Sequence, residues 1–192
     1  MAQQAALFGE SRQVLVSGAH GTIAYIPALF SAQESIELFG ALHREVAWTS
    51  ETMYMYDRVV DVPRLVASYP DLSHAPAEIG VIRARIEGKL GVVFSAVGLN
   101  YYRSGSDSVA WHSDKDEDLV ADPTVALVSL GAARTMRVRT KAVPRTYLSV
   151  DLEPGSLFVM QGAAQQHYEH HIPKAKRPTE PRISVVFRTK RR

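Results

Sequence analysis

The stretch Gly91-Val92-Val93-Phe94-Ser95-Ala96-Val97-Gly98-Leu99-Asn100-Tyr101-Tyr102 marks a change of period, and that change decides the fold class. Before it the chain reads as helix. Ser31 followed by Glu34 matches a capping box, and Ile36, Phe39, Leu42 and Val46 follow at helical spacing. A second helix is expected from Pro76, with Ile79, Ile82, Ile86 and Leu90 on one face and Gly91 as its stop. After Gly91 the apolar runs become short and are separated by Gly, Pro and Asp: residues 92–102, 124–130, 136–141, 156–160 and 183–189 are expected strands. Helices first and then many strands without intervening helices imply an α+β fold whose strand-rich part closes as a barrel or double-sheet jelly roll. Residues 53–71 carry Tyr54, Tyr56 and Tyr69 together with Pro63 and Pro70, without a clean period, and read as a structured loop or hairpin.

Composition narrows the class of protein. With 192 residues and no internal repeat or long linker, a single domain over residues 1–192 is expected. The 46% hydrophobic and 22% charged content is that of ordinary globular chains and excludes collagen-like and disordered classes. No run approaches the roughly 18 apolar residues of a membrane span, and no basic segment leads into an apolar one at the start. A soluble cytoplasmic protein with no membrane partner is therefore the expectation. The absence of cysteine excludes disulfides, thiolate zinc sites, iron–sulfur clusters and a cysteine nucleophile, so any metal must be held by His and carboxylates. Charge is uneven: residues 133–192 carry 13 Lys or Arg against 4 Asp or Glu, while residues 1–132 carry 9 against 16. Such asymmetry can mark a surface facing a polyanion, or can cancel in space.

The sharpest chemical signal is Trp111-His112-Ser113-Asp114. In an extended segment residues two apart share a face, so His112 and Asp114 can reach one ion. By itself the pair is a weak signal and reads first as a satisfied polar turn. His170, in Tyr168-Glu169-His170-His171-Ile172-Pro173, supplies a third candidate, and two His with one carboxylate form the open facial triad of oxygen-activating iron(II) sites. His167 and His171 lie close enough in sequence that a zinc hydrolase remains the chemical alternative. The C-terminal run Pro181-Arg182-Ile183-Ser184-Val185-Val186-Phe187-Arg188 places Arg182, Ser184, Val186 and Arg188 on one strand face. The two arginines, roughly 20 Å apart at about 3.3 Å per residue, could converge on a dicarboxylate from opposite ends; an edge strand with two solvated arginines is the other reading.

Together, Asn100-Tyr101-Tyr102-Arg103, Trp111-His112-Ser113-Asp114-Lys115-Asp116-Glu117, Ser129-Leu130-Gly131-Ala132, Ser156-Leu157-Phe158-Val159-Met160, His170 and the strand ending at Arg188 resemble the AlkB family of iron(II)- and 2-oxoglutarate-dependent dioxygenases. Val62-Pro63-Arg64 and Tyr69-Pro70-Asp71 match more loosely. The resemblance implies a double-stranded β-helix, a jelly roll with two supporting helices. It implies that His112, Asp114 and His170 hold Fe(II), that Asn100, Tyr102, Ser184 and Arg182 bind the co-substrate 2-oxoglutarate, and that Arg188 lies near its second carboxylate. Asp116 would contact the substrate base. Tyr56 falls where related enzymes carry a duplex-probing loop, which makes residues 53–75 the candidate nucleotide-recognition region. The implied reaction is oxidative N-demethylation of alkylated bases in DNA or RNA, single- or double-stranded. It consumes O2 and 2-oxoglutarate and releases succinate, CO2 and formaldehyde, here from a monomer.

The sequence departs from that family in two places. Ser184 stands where Asn is more usual, and after Asp71 the chain runs through His74 into a helix instead of an aromatic-rich, base-stacking segment. The second departure keeps open an oxygenase of the same fold acting on a protein side chain or small molecule, beside a non-catalytic nucleic-acid-binding module. Arg137, Arg139 and Lys141 share one strand face that could follow phosphates or lie solvated.

Overall fold

A computed structural model describes residues 11–55, 58–114, 120–177 and 179–191, with backbone only at 53–55 and 58–60. The described residues begin with hairpin β1 (Gln13–Gly18) and β2 (Gly21–Ile26), then form α1 (Ala32–Glu45), the antiparallel pair β3 (Thr49–Met55) and β4 (Arg58–Tyr69), and α2 (Ala77–Leu90). Strands β5 (Ala96–Tyr102), β6 (Val109–His112), β7 (Thr124–Gly131), β8 (Arg134–Thr140), β9 (Tyr147–Leu152) and β10 (Leu157–Gln161) follow. A single helical turn α3 (Ala164–His167) leads into β11 (Tyr168–Ile172), and β12 (Arg182–Arg188) closes the fold.

The strands form two antiparallel sheets. The major sheet runs β1-β2-β10-β7-β12-β5-β4-β3 and the minor sheet β6-β11-β8-β9. Alternation of side chains sorts the major sheet's central strands into two apolar layers. Ile183, Val185 and Phe187 of β12, with Ala126, Val128 and Leu130 of β7, pack under Leu38 and Leu42 of α1 and Ile79, Ile82 and Ile86 of α2. Val186, Leu127, Phe158 and Met160 point the other way, toward Met136 and Val138 of the minor sheet. The α+β jelly roll with two supporting helices is thus the observed architecture.

The helix signals translate directly into structure at the ends. Ser31 Oγ accepts from the Glu34 amide at 3.2 Å, and the Glu34 carboxylate accepts from the Ser31 amide at 2.8 Å. Gly91 ends α2 in the left-handed region at φ 67°, where a side chain would be strained. The phase of α1 differs from expectation. Its buried stripe is Ser35, Leu38 and Leu42, whereas Ile36 is 66% exposed; at about 100° per residue Ile36 lies roughly 120° around the helix from Leu42. The strand expected from residue 92 starts at Ala96, because Phe94 is used to pack against Phe187, ring centroids 5.9 Å apart. Residues 53–55 and 58–71 belong to the paired strands β3 and β4 and the exit from β4.

Candidate active site

Pairing on both sides fixes the inner face of β12. Arg182 lies opposite Tyr102 and Gly131, Ser184 opposite Asn100 and Ser129, and Arg188 opposite Ala96. The edge-strand reading is therefore corrected: β12 sits between β5 and β7, and Arg182 is wholly buried. Arg182 Nε donates to Ser129 Oγ at 2.9 Å, and its guanidinium carbon lies 5.1 Å from the Tyr102 ring centroid. Its Nη1 and Nη2 are buried with no acceptor among the described residues. Burial lowers its pKa from the usual arginine value. A buried guanidinium with two unsatisfied nitrogens is costly unless an anion completes it.

The minor sheet brings the histidines to the same space. His112 ends β6 directly opposite His170 of β11, ring centroids 4.3 Å apart. His112 Nδ1 donates to the Ala110 carbonyl at 2.8 Å, which leaves the Nε2 lone pair for a metal. Burial, reinforced by the neighbouring His112, pushes the His170 pKa down to about 3, so its imidazole is neutral and able to act as a ligand; its Nδ1 is buried with no partner among the described residues. Burial alone would raise the Asp114 pKa, but the Arg188 charge and hydrogen bond, with the two histidines, hold it below the ordinary carboxylate value. Arg188 Nη2 donates to Asp114 Oδ1 at 2.6 Å, while Asp114 Oδ2 is buried and has no partner among the described residues.

These groups surround a cavity of about 230 Å³ between the sheets. It takes in His112, Asp114 and His170 and, of the co-substrate candidates, Asn100, Tyr102, Ser184 and Arg188; Arg182 lies beyond its lining, against Tyr102. Among the described residues no three His, Asp or Glu side chains are disposed as a shared metal site, and one oxygen of Asp114 faces Arg188 instead. The donor set nonetheless fits a divalent iron: two neutral imidazoles and one ionised carboxylate, with buried lone pairs on His170 and Asp114 lacking partners. His171 lies on the opposite face, stacked on Trp111 at 3.9 Å, as alternation requires.

Two polar neighbours carried no clear signal in sequence. Arg64 Nε donates to Asn100 Oδ1 at 2.6 Å, and Asn100 Nδ2 reaches Ser184 Oγ at 3.4 Å, so a polar ladder crosses β4, β5 and β12. Arg64 also borders a second, more apolar groove of about 750 Å³ that shares Val109, His112 and Ile172 with the first cavity and reaches Pro63, Trp111 and Lys174. Gln165, 1% exposed on α3, accepts from the Asp114 amide at 2.9 Å. The cationic face of β8 is less free than its sequence implies. Arg137 is exposed, but Arg139 pairs with Glu169 at 2.7 Å and lies over Trp111, and Lys141 Nζ donates to the Gln165 carbonyl. Tyr56 and Asp116 lie outside the described residues.

One wholly buried and one half-buried arginine on a single strand, facing two histidines and an aspartate, form a group able to build an oxygenase-type centre, and comparison with known proteins identifies the superfamily. Residues 65–188 match the model of the 2OG-Fe(II) oxygenase superfamily, and the chain belongs to that superfamily. Its relatives are of the AlkB type. It is 31% identical to human alpha-ketoglutarate-dependent dioxygenase alkB homolog 3, over 87% of this chain and 65% of that protein, so it spans slightly less than two thirds of that relative's length. It is 28% identical to human DNA oxidative demethylase ALKBH2, over 88% of this chain and 74% of the relative. The fold matches that of the non-heme alpha ketoglutarate dependent epimerase SnoN from nogalamycin biosynthesis with a TM-score of 0.62, at 14% identity, covering 88% of this chain and 78% of the other. The superfamily works with Fe(II), 2-oxoglutarate and O2. No helix among the described residues is long and apolar enough to cross a membrane.

Proposed function

We propose that this chain is an oxidative demethylase of N-alkylated nucleic-acid bases, in DNA or RNA, with His112, Asp114 and His170 holding iron(II) and Asn100, Tyr102, Arg182, Ser184 and Arg188 binding 2-oxoglutarate. The observation that carries the co-substrate assignment is Arg182, wholly buried with two guanidinium nitrogens unsatisfied, on the same strand face as Arg188. A carboxylate meeting Arg182 would satisfy both nitrogens in the fork geometry that guanidinium prefers. Tyr102, held between Arg134 and Arg182, would orient that carboxylate, and the ladder of Arg64, Asn100 and Ser184 would orient the rest of the molecule. Bound iron(II) would supply oxidation of the substrate's N-methyl C–H bond, with one oxygen atom of O2 entering succinate and the other the substrate. The hydroxymethyl product loses formaldehyde without help and leaves the free base nitrogen.

The relatives support the nucleic-acid assignment, since one of them is named a DNA oxidative demethylase. The apolar groove beside His112 gives a base, once out of its stack, a route to the metal. The test is release of formaldehyde and succinate from N-methylated single- and double-stranded oligonucleotides of DNA and RNA by the iron-loaded protein. Equimolar products from any of them support the reading. Succinate without formaldehyde from all of them would move the substrate to a protein side chain or small molecule.

A further inference from the structure

Asp114 lies past the end of β6, so no strand pairing fixes it. Strand β6 is itself a four-residue edge strand, paired among the described residues with β11 alone and with an irregular register between His170 and Ile172. Two hydrogen bonds across 55 and 51 residues of sequence bring the segment after it back to the body of the protein. Ser113 Oγ donates to the Tyr168 carbonyl at 2.8 Å, and the Asp114 amide donates to Gln165 Oε1 at 2.9 Å. Gln165 is an unusual partner. It is 1% exposed in the interior, where a primary amide is disfavoured unless its atoms are bonded. Its Nε2 is directed at the Met160 sulfur, 3.3 Å away, a weak acceptor on the cavity wall. The Lys141 ammonium in turn holds its backbone carbonyl at 2.8 Å. An apolar side chain of the same length would fill this position at less desolvation cost, yet would leave the Asp114 amide unpartnered.

From this geometry we infer that Gln165 is a positioning residue for the metal centre: its side-chain oxygen holds the Asp114 backbone so that the carboxylate faces His112 and His170. The inference rests on the proposed iron ligation by these three residues and adds a residue that touches neither metal nor co-substrate. Through α3 and β11 the same short segment carries both Gln165 and His170, so the bond fixes the spacing between two ligands that are 56 positions apart in the chain.

The test uses the apo protein, with Co(II) as a spectroscopic stand-in for iron, and three variants. Gln165→Met should keep the fold, judged by thermal unfolding, but should weaken Co(II) binding by about 10- to 100-fold, the range seen when outer partners of metal ligands are removed. Amide hydrogen exchange at Asp114 in the same metal-free variant should rise, while β8 amides stay protected. Gln165→Glu retains the acceptor oxygen and should keep both Co(II) affinity and Asp114 exchange close to the parent's; if Gln165→Met fails to fold, faster Asp114 exchange with weakened Co(II) binding in Gln165→Glu would overturn the role of the acceptor oxygen. Asp114→Ala is the control, and should abolish Co(II) binding. If Asp114→Ala binds Co(II) normally, the ligand assignment falls. If Asp114→Ala loses the metal while Gln165→Met binds it as the parent does, with Asp114 exchange unchanged, the ligand assignment stands and the role of Gln165 is overturned.

Discussion

Strands β12 and β6 bring side chains to the same cavity but are held there in opposite ways. β12 pairs with β5 along seven residues and with β7 along six, and its far face lies under both helices. β6 has one neighbour, and the aspartate it delivers hangs beyond its end on side-chain hydrogen bonds. The proposed anion-binding groups on β12 are thus placed by backbone pairing, whereas the proposed metal ligand Asp114, past the end of β6, is held by hydrogen bonds between side chains and backbone. Substitution on β12 should therefore remove a function and spare the fold. Substitution around β6 should shift a ligand without removing any ligand atom.

The largest effects are expected at the histidines themselves. His112→Ala or His170→Ala should weaken metal binding by more than about a hundredfold, beyond what loss of an outer partner causes, whereas His171→Ala should leave it within about tenfold because His171 faces outward onto Trp111. Metal titration followed by succinate assay checks both, and full occupancy in His170→Ala would break the assignment. Next is Arg182→Met. Loss of a charged hydrogen-bonding group with a buried partner costs about 2–5 kcal/mol, so the 2-oxoglutarate requirement should rise about a hundredfold while thermal stability holds or increases, since a buried charge has been replaced by an apolar chain. An unchanged co-substrate titration would return Arg182 to a purely structural role.

A smaller effect is expected at Asp107, which accepts three hydrogen bonds from Arg103 and, through its carbonyl, one from the buried Arg134. The Arg103 hydrogen bonds hold its pKa below the ordinary 3.8. With a carboxyl more acidic in the folded state, the unfolded chain binds the proton first, so this stabilisation is full above about 4 and disappears as pH falls through the folded value. Asp107→Asn should cost about 1–3 kcal/mol at neutral pH and flatten the acid limb of stability measured by urea unfolding; an acid limb identical to the parent's would discount the contact. The smallest effect concerns nucleic acid. Arg137→Ala should lower the log–log salt slope of oligonucleotide binding by about one, while Arg139→Ala, whose partner Glu169 already neutralises it, should leave that slope alone.

The same contrast explains what could be read from the chain before its fold was known. Signals that act within a few residues were legible: the Ser31 and Glu34 cap, the Gly91 stop, the isoleucine stripe of α2, and the two-residue alternation that puts Arg182, Ser184 and Arg188 on one face. Whether β12 stood at an edge or at the centre depends on its neighbours, which local pattern does not reveal. β6 and β11, of four and five residues, are too short to show a period. Arg64 and Gln165 act on partners 36 and 51 residues away, so nothing next to them in sequence announces their roles. Ile36 has near-helical spacing to Phe39 and Leu42, but the small Ser35 occupies that place in the buried stripe, and residue spacing alone does not distinguish the two.

Because β12 borders an apolar layer on one side and a polar cavity on the other, its pairing contains a parity check. A slip of one residue against β5 or β7 would swap the two sets. Arg182 and Arg188 would enter the isoleucine and leucine layer beneath the helices, and Ile183 and Phe187 would fill the space between the sheets. Either error leaves cations without acceptors in a water-free interior, a far larger penalty than one missed backbone pair. A chain that joins its last strand out of step is therefore pushed apart by its own arginines before it can settle, so the residues proposed to capture the co-substrate also proofread assembly.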